Sequence, residues 1–267
     1  MTMMNLFELA HRALMACDPD DKVAQTHALR AAWQQGGLRF GPAFEPEAIP
    51  VPGRPPQPVL VQPRELPQRK PTTVEGRAML FHALSHIEFN AINLALDAVY
   101  RFRDMPAEFY SDWLQVADEE ASHFVMLRDH LRGLGCDYGE YPAHNGLWEM
   151  ALKTAHDPLV RMALVPRCLE ARGLDVSPGI KARLLAVGDK AGADALDVIL
   201  HDEIGHVAIG NRWFLSLCAQ RGLEPMATYQ GLLDEYMDGP LRPPFHIDAR
   251  REAGFSEAEL AYLEGFA

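Results

Sequence analysis

Four cysteines in 267 residues, at positions 17, 136, 168 and 218, are too few and too scattered for a disulfide framework or a Cys-x-x-Cys metal knuckle. Reduced thiols in a cytoplasmic protein are the expectation. The chain also lacks any run approaching the ~20 uncharged apolar residues of a membrane span. Its first stretch, MTMMNLFELAHRALMACDPDDK, has Glu8 and His11 inside the apolar part and acids after it. Without a basic leading region it reads as an amphipathic helix and not as a signal peptide. Glycine-rich phosphate loops, Gly-x-Ser-x-Gly and Cys/His nucleophile patterns are missing, which argues against nucleotide-binding and acyl-transfer chemistry of those kinds. Strand signals are nearly absent, so the expected fold class is all-α.

Positive charge is scarce as well. Residues 1–75 hold eight basic and eight acidic residues, so the net charge of −12 belongs wholly to residues 76–267. A nucleic-acid partner needs a basic footprint, and an acidic body disfavours one.

What the chain has is helical periodicity. Residues 3–16 and 21–36 read as two short helices of an N-terminal arm, residues 1–41. Residues 42–71 then hold ten of the twenty prolines. That density blocks helix and central strand alike, and Val59, Leu60, Val61 and Leu66 favour a strap packed on the protein over a free linker. A four-helix body is expected over 72–222. Its first helix spans 73–103 from a Thr72/Glu75 capping box. The second spans 106–133 behind Pro106, and a short helix is expected at 145–155. The third, from 158, is expected to kink at Pro166 and to break at Gly173 and Ser177-Pro178-Gly179. The fourth spans 190–220. A C-terminal helical extension, 223–267, has a helix at 226–238 and another opened by Ser256-Glu257-Ala258-Glu259.

Two segments of this body, Glu-Glu-Ala-Ser-His at 119–123 and Asp-Glu-Ile-Gly-His at 202–206, share the pattern acid-Glu-x-x-His. Residues three apart on a helix lie about 60° apart round the axis and one turn along it. Glu120 with His123, and Glu203 with His206, can each aim a carboxylate and an imidazole at one point. Two such motifs, with a lone Glu from each of two other helices, form the ligand set of a carboxylate-bridged dinuclear metal site. Glu88 and Glu170 supply the lone glutamates. Glu88 precedes Glu120 by 32 residues and Glu170 precedes Glu203 by 33, so the halves repeat at an offset of 82–83 residues. Four acids on otherwise apolar faces would be costly to bury without protons or cations. The alternative is a solvent-facing acid paired with arginine, and it bears most on Glu170, beside Arg167 and Arg172.

Metal-bound imidazoles usually donate their second N–H to an outer acceptor. Asp202 is expected to support His123, and Glu119 to support His206; the alternative is a solvated acid. His86 is two residues from Glu88 and points roughly 160° away from it. His82 and His201 read as packing or surface residues.

The segments EARGLD (170–175) and DEIGHVAIGNRWF (202–214), with the two-helix start and the proline-rich strap, resemble the ferritin-like domain-of-unknown-function family 455 over nearly the whole chain. The resemblance implies a di-iron four-helix bundle with ligands Glu88, Glu120, His123, Glu170, Glu203 and His206. Hard O/N donors suit iron or manganese, and zinc can enter on affinity. The leading expectation is an O₂-dependent non-haem di-iron oxidoreductase or hydroxylase. Its partners would be O₂, a small-molecule substrate that the sequence does not name, an electron-donor protein and, in a homodimer, a second copy. Arg167 and Arg172 would meet an anionic substrate or, alternatively, form surface salt bridges. Iron storage or detoxification, a tRNA-hydroxylase-like role and a non-catalytic metal-stabilised interaction module are the alternatives.

Overall fold

The protein is described here from a computed structural model covering residues 4–41, 45–67, 70–237 and 239–265. Helix accounts for 70% of the chain and strand for 2%, which makes the protein all-α. Among the described residues no helix is long and apolar enough to cross a membrane. The chain divides into two compact units, Met1–Leu152 and Lys153–Ala267.

In the first unit, α1 (Leu6–Met15) begins where Asn5 Oδ1 accepts the backbone N–H of Phe7 at 2.9 Å. Its apolar residues Leu6, Phe7, Ala10, Ala13 and Leu14 fall on one stripe and are buried. Asp18 caps α2 (Pro19–Gln34), with Pro19 in the first turn, where its missing N–H costs nothing. Two-residue strands β1 (Met4–Asn5) and β2 (Leu38–Arg39) pair in parallel. Lys22 reaches from α2 to the end of α1 and donates to the carbonyls of Ala13 (3.0 Å) and Leu14 (2.6 Å).

These arm helices pack on a hairpin of α3 (Val74–Arg101) and α4 (Ala107–Gly133). The short connection makes the two antiparallel. The start of α3 differs from expectation by one residue: Thr73, not Thr72, is the cap, and its Oγ1 accepts from Gly76 N at 3.0 Å. Pro106 stands at the cap of α4 instead of inside its first turn. The proline-rich segment lies along this unit. Gly53 N donates to Leu14 O (3.0 Å) and Trp148 Nε1 to Pro50 O (3.2 Å). Val61 N donates to Ala143 O (2.8 Å) and Ala143 N to Val59 O (3.0 Å). Trp148 belongs to α5 (Gly146–Lys153). Residues 42–44 and 68–69 of the segment lie outside the described residues.

The second unit opens with α6 (Pro158–Leu164), capped by Asp157. A π-helical turn, Val165–Glu170, follows and leads directly into α7 (Ala171–Ala186). The expected kink at Pro166 takes this form. Pro166 cannot bond the Met162 carbonyl and its ring would strike it, and widening the turn by one residue relieves both. The expected breaks at Gly173 and Ser177-Pro178-Gly179 do not occur: α7 runs through them. An interior proline costs about 3 kcal/mol. Burying Leu174, Ile180 and Leu184 returns about 1.5–3 kcal/mol for each side chain, so continuity wins. Packed on α7 is α8 (Lys190–Arg221), which ends at Gly222 in the left-handed region (φ 65°). Then come α9 (Pro225–Tyr236), α10 (Ile247–Glu252), which the sequence reading did not anticipate, and α11 (Glu257–Glu264), opened by the expected Ser256/Glu259 capping box.

Candidate metal centre

Within the first unit, Glu88 from α3 meets Glu120 and His123 from α4. His123 Nδ1 stands 3.4 Å from Glu120 Oε2 and 3.7 Å from Glu88 Oε2. One ligand atom from each residue lies within 4.8 Å of the others. All three are buried, with exposures of 4%, 0% and 1%. Next to Glu88 and His123 in the chain, the ring of Phe89 packs on that of Phe124 (centroids 5.5 Å apart), and Lys22 Nζ lies 5.5 Å from the Phe89 centroid. Phe89, next to Glu88, and Phe124, next to His123, thus pack α3 against α4.

Burial is the largest influence on Glu88 and raises its pKa well above the usual carboxylate value; the neighbouring Glu120 raises it further. For His123, burial disfavours the charged ring, but the close carboxylates of Glu120 and Glu88 outweigh it and push the pKa up to about 11. The cluster therefore attracts positive charge. Glu88 Oε2 is buried without a hydrogen bond, His123 Nδ1 being too distant to donate one. Hard oxygen donors beside an imidazole suit a divalent transition metal, and an ion would satisfy that oxygen. This buried carboxylate/imidazole cluster could hold a metal ion.

In the second unit, Glu203 and His206 occupy consecutive turns of α8, with His206 Nδ1 and Glu203 Oε1 3.8 Å apart and both side chains nearly fully buried. Glu170 is the last residue of the π turn. Glu119 and Asp202 are half-buried, and Glu119 Oε1 accepts from Gln115 Nε2 on its own helix at 3.0 Å. Arg167 is 1% exposed, ion-paired with Glu259, and its guanidinium carbon lies 4.4, 4.4 and 5.0 Å from the ring centroids of Phe214, Tyr229 and Phe255. Arg172 donates to the carbonyls of Arg242 and Pro244, each at 2.8 Å. Both arginines offered as substrate contacts thus have partners inside their own unit.

Sequence reasoning missed a buried polar stripe on α3. His82, His86, Asn90, Asn93, Asp97 and Arg101 recur every three or four residues, on the side of the helix away from Glu88. His86 donates from Nε2 to His144 O (3.0 Å) and accepts from Tyr138 Oη at Nδ1 (2.9 Å). Burial lowers its pKa to about 4, so the ring is neutral, as that pair of bonds requires. Asp97 holds Arg101 through both carboxylate oxygens. The spacing was visible in the sequence, but polar residues at helical period read equally well as a solvated face.

The family described as "Protein of unknown function (DUF455)" matches residues 15–261. The chain belongs to this family. It is also 47% identical over 228 residues to a Haemophilus influenzae protein described as "Uncharacterized protein", an alignment covering 82% of this chain and 79% of the relative. No solved structure matches it. The DUF455 chain is thus a helical protein with a candidate metal-binding cluster.

Proposed function

We propose that this DUF455 protein is a dinuclear, di-iron member of the ferritin-like class that uses O₂ to oxidise a small-molecule substrate. The observation that carries the reading is the buried cluster of Glu88, Glu120 and His123. Supporting it is the 82–83-residue offset that repeats the same three residue types as Glu170, Glu203 and His206. In this reading the two sets are the halves of one site in a four-helix bundle, with Mn or Zn as other occupants of the same donors. Bound iron would supply O₂ reduction and substrate oxidation.

The chain's residues have separate tasks. Four carboxylates balance the charge of two divalent ions, and the imidazoles, neutral once metal is bound, fix each ion's place. Asp202 and Glu119 hold the second N–H of His123 and His206. An electron-donor protein completes the reaction, and the four free thiols accord with a cytoplasmic setting.

Anaerobic loading with Fe(II), metal counting and then exposure to O₂ tests this. Two irons per chain, oxidised with stoichiometric O₂ uptake, are expected. Hundreds of irons per particle would favour storage. Wild-type protein that takes up no stoichiometric metal, with Glu120→Ala leaving stability unchanged or improved, would sink the metal reading.

A further inference from the structure

Among the polar contacts that join the C-terminal segment to the rest of the second unit, two charge pairs bracket Glu170. Three residues before it, Arg167 pairs with Glu259 of α11 inside the cage of Phe214, Tyr229 and Phe255. Five residues after it, Asp175 takes Arg250 of α10 bidentately (2.9 and 2.7 Å) and also accepts from His246 N at 2.9 Å. A further contact ties α8 to the turn after α10, where Asn211 Nδ2 donates to Ala253 O. Glu259 has a double duty. Its Oε2 accepts from Ser256 N and Oγ, both at 2.8 Å, closing the capping box of α11 while Oε1 neutralises Arg167.

A π turn is an uncommon conformation that ordinary helix hydrogen bonding does not select. Here one charge pair grips it from within, at Arg167, and a second holds α7 five residues past its end; both are almost wholly buried. Such pairs are costly to assemble and specify geometry when complete. We infer that the C-terminal segment is a positioning device for Glu170, with Arg167 and Glu259 as positioning residues that set the carboxylate for the second metal ion. This rests on the dinuclear reading. It also accounts for the segment's charged residues facing inward, where a plain extension would need only an apolar face.

The test is a titration of the full-length, metal-free protein with Fe(II) under anaerobic conditions, with Mn(II) in parallel. Wild type, Glu259→Gln and Arg167→Lys are compared, and Arg221→Gln serves as control. Arg221 forms an ion pair with Asp157 in the same unit, 51 residues from Glu170 in the chain. The Glu259 and Arg167 variants are expected to keep the first ion and to bind the second at least tenfold more weakly, at unchanged helix content. The control should lose some thermal stability and keep both ions. If Glu259→Gln fails to fold, Ser256→Ala removes the hydroxyl that holds Glu259 and asks the same question more gently. Two ions bound with wild-type affinity in all variants would overturn the inference and leave the metal reading intact. A wild type that binds no ion would remove both.

Discussion

Pro166 fills the space that a side chain on Gly210 would need. A Cβ there would lie 2.3 Å from Pro166 Cβ and 2.4 Å from its Cγ. The contact seats the π turn against α8 one turn beyond His206. Gly210→Ala should therefore cost about 1–3 kcal/mol in chemical denaturation, although alanine is the better helix former. A neutral or stabilising result would show that the proline ring can give way.

Lys22 is fully buried on two carbonyls and the face of Phe89, and burial lowers its pKa to about 7 against 10.5 in the unfolded chain. Between those values the unfolded state binds more protons. The contribution of Lys22 to stability is therefore greatest above pH 10.5 and is lost as pH falls to 7. Both carbonyls keep another donor, Ala16 N for Ala13 and Gly53 N for Leu14, so Lys22→Met should fold. Denaturation midpoints at pH 7 and 9 should show wild type gaining on Lys22→Met as pH rises. A constant difference would place the lysine's pKa outside that interval.

The cluster of Glu88, Glu120 and His123 predicts the opposite trend for metal-free protein. Glu88 and His123 both have raised folded-state values, His123 to about 11. Their contributions are complete below the unfolded values and fall as pH rises, from about 4.5 for Glu88 and from about 6.5 for His123. With chelator present, wild type should lose stability between pH 6 and 8 relative to Glu88→Gln. Added divalent ion should reverse the order, since bound metal needs deprotonated ligands. Melting curves that ignore both pH and metal would count against a charged cluster.

Asp175 and Arg250 form a buried pair, 4% and 2% exposed. Removing one partner leaves a stranded charge, so Arg250→Met or Asp175→Asn alone should cost about 3–5 kcal/mol. The double variant should recover much of that loss. Additive costs in a double-mutant cycle would mean that the two groups act independently.

The sequence by itself determined what depends on local chain geometry. Helix starts near Pro106 and at Ser256 followed from local signals, because capping is settled within a few residues. The two Glu-x-x-His spacings did the same for the candidate ligands, since a one-turn separation on a helix leaves no other way to share a face. Tertiary packing decided the rest. Pro178 sits inside a continuous helix because buried Leu174, Ile180 and Leu184 outweigh its penalty. Pro166, with the same local chemistry, produces a π turn against Gly210. Arg167 looked available to a substrate, yet it lies in an aromatic cage paired with a glutamate 92 residues away, a partner that no local pattern indicates. The polar stripe of α3 went inside for the same reason. His86 and Asp97 are stable there because Tyr138, His144 and Arg101 are positioned to receive them, and burial of a polar group depends on partners that only the folded chain brings within reach.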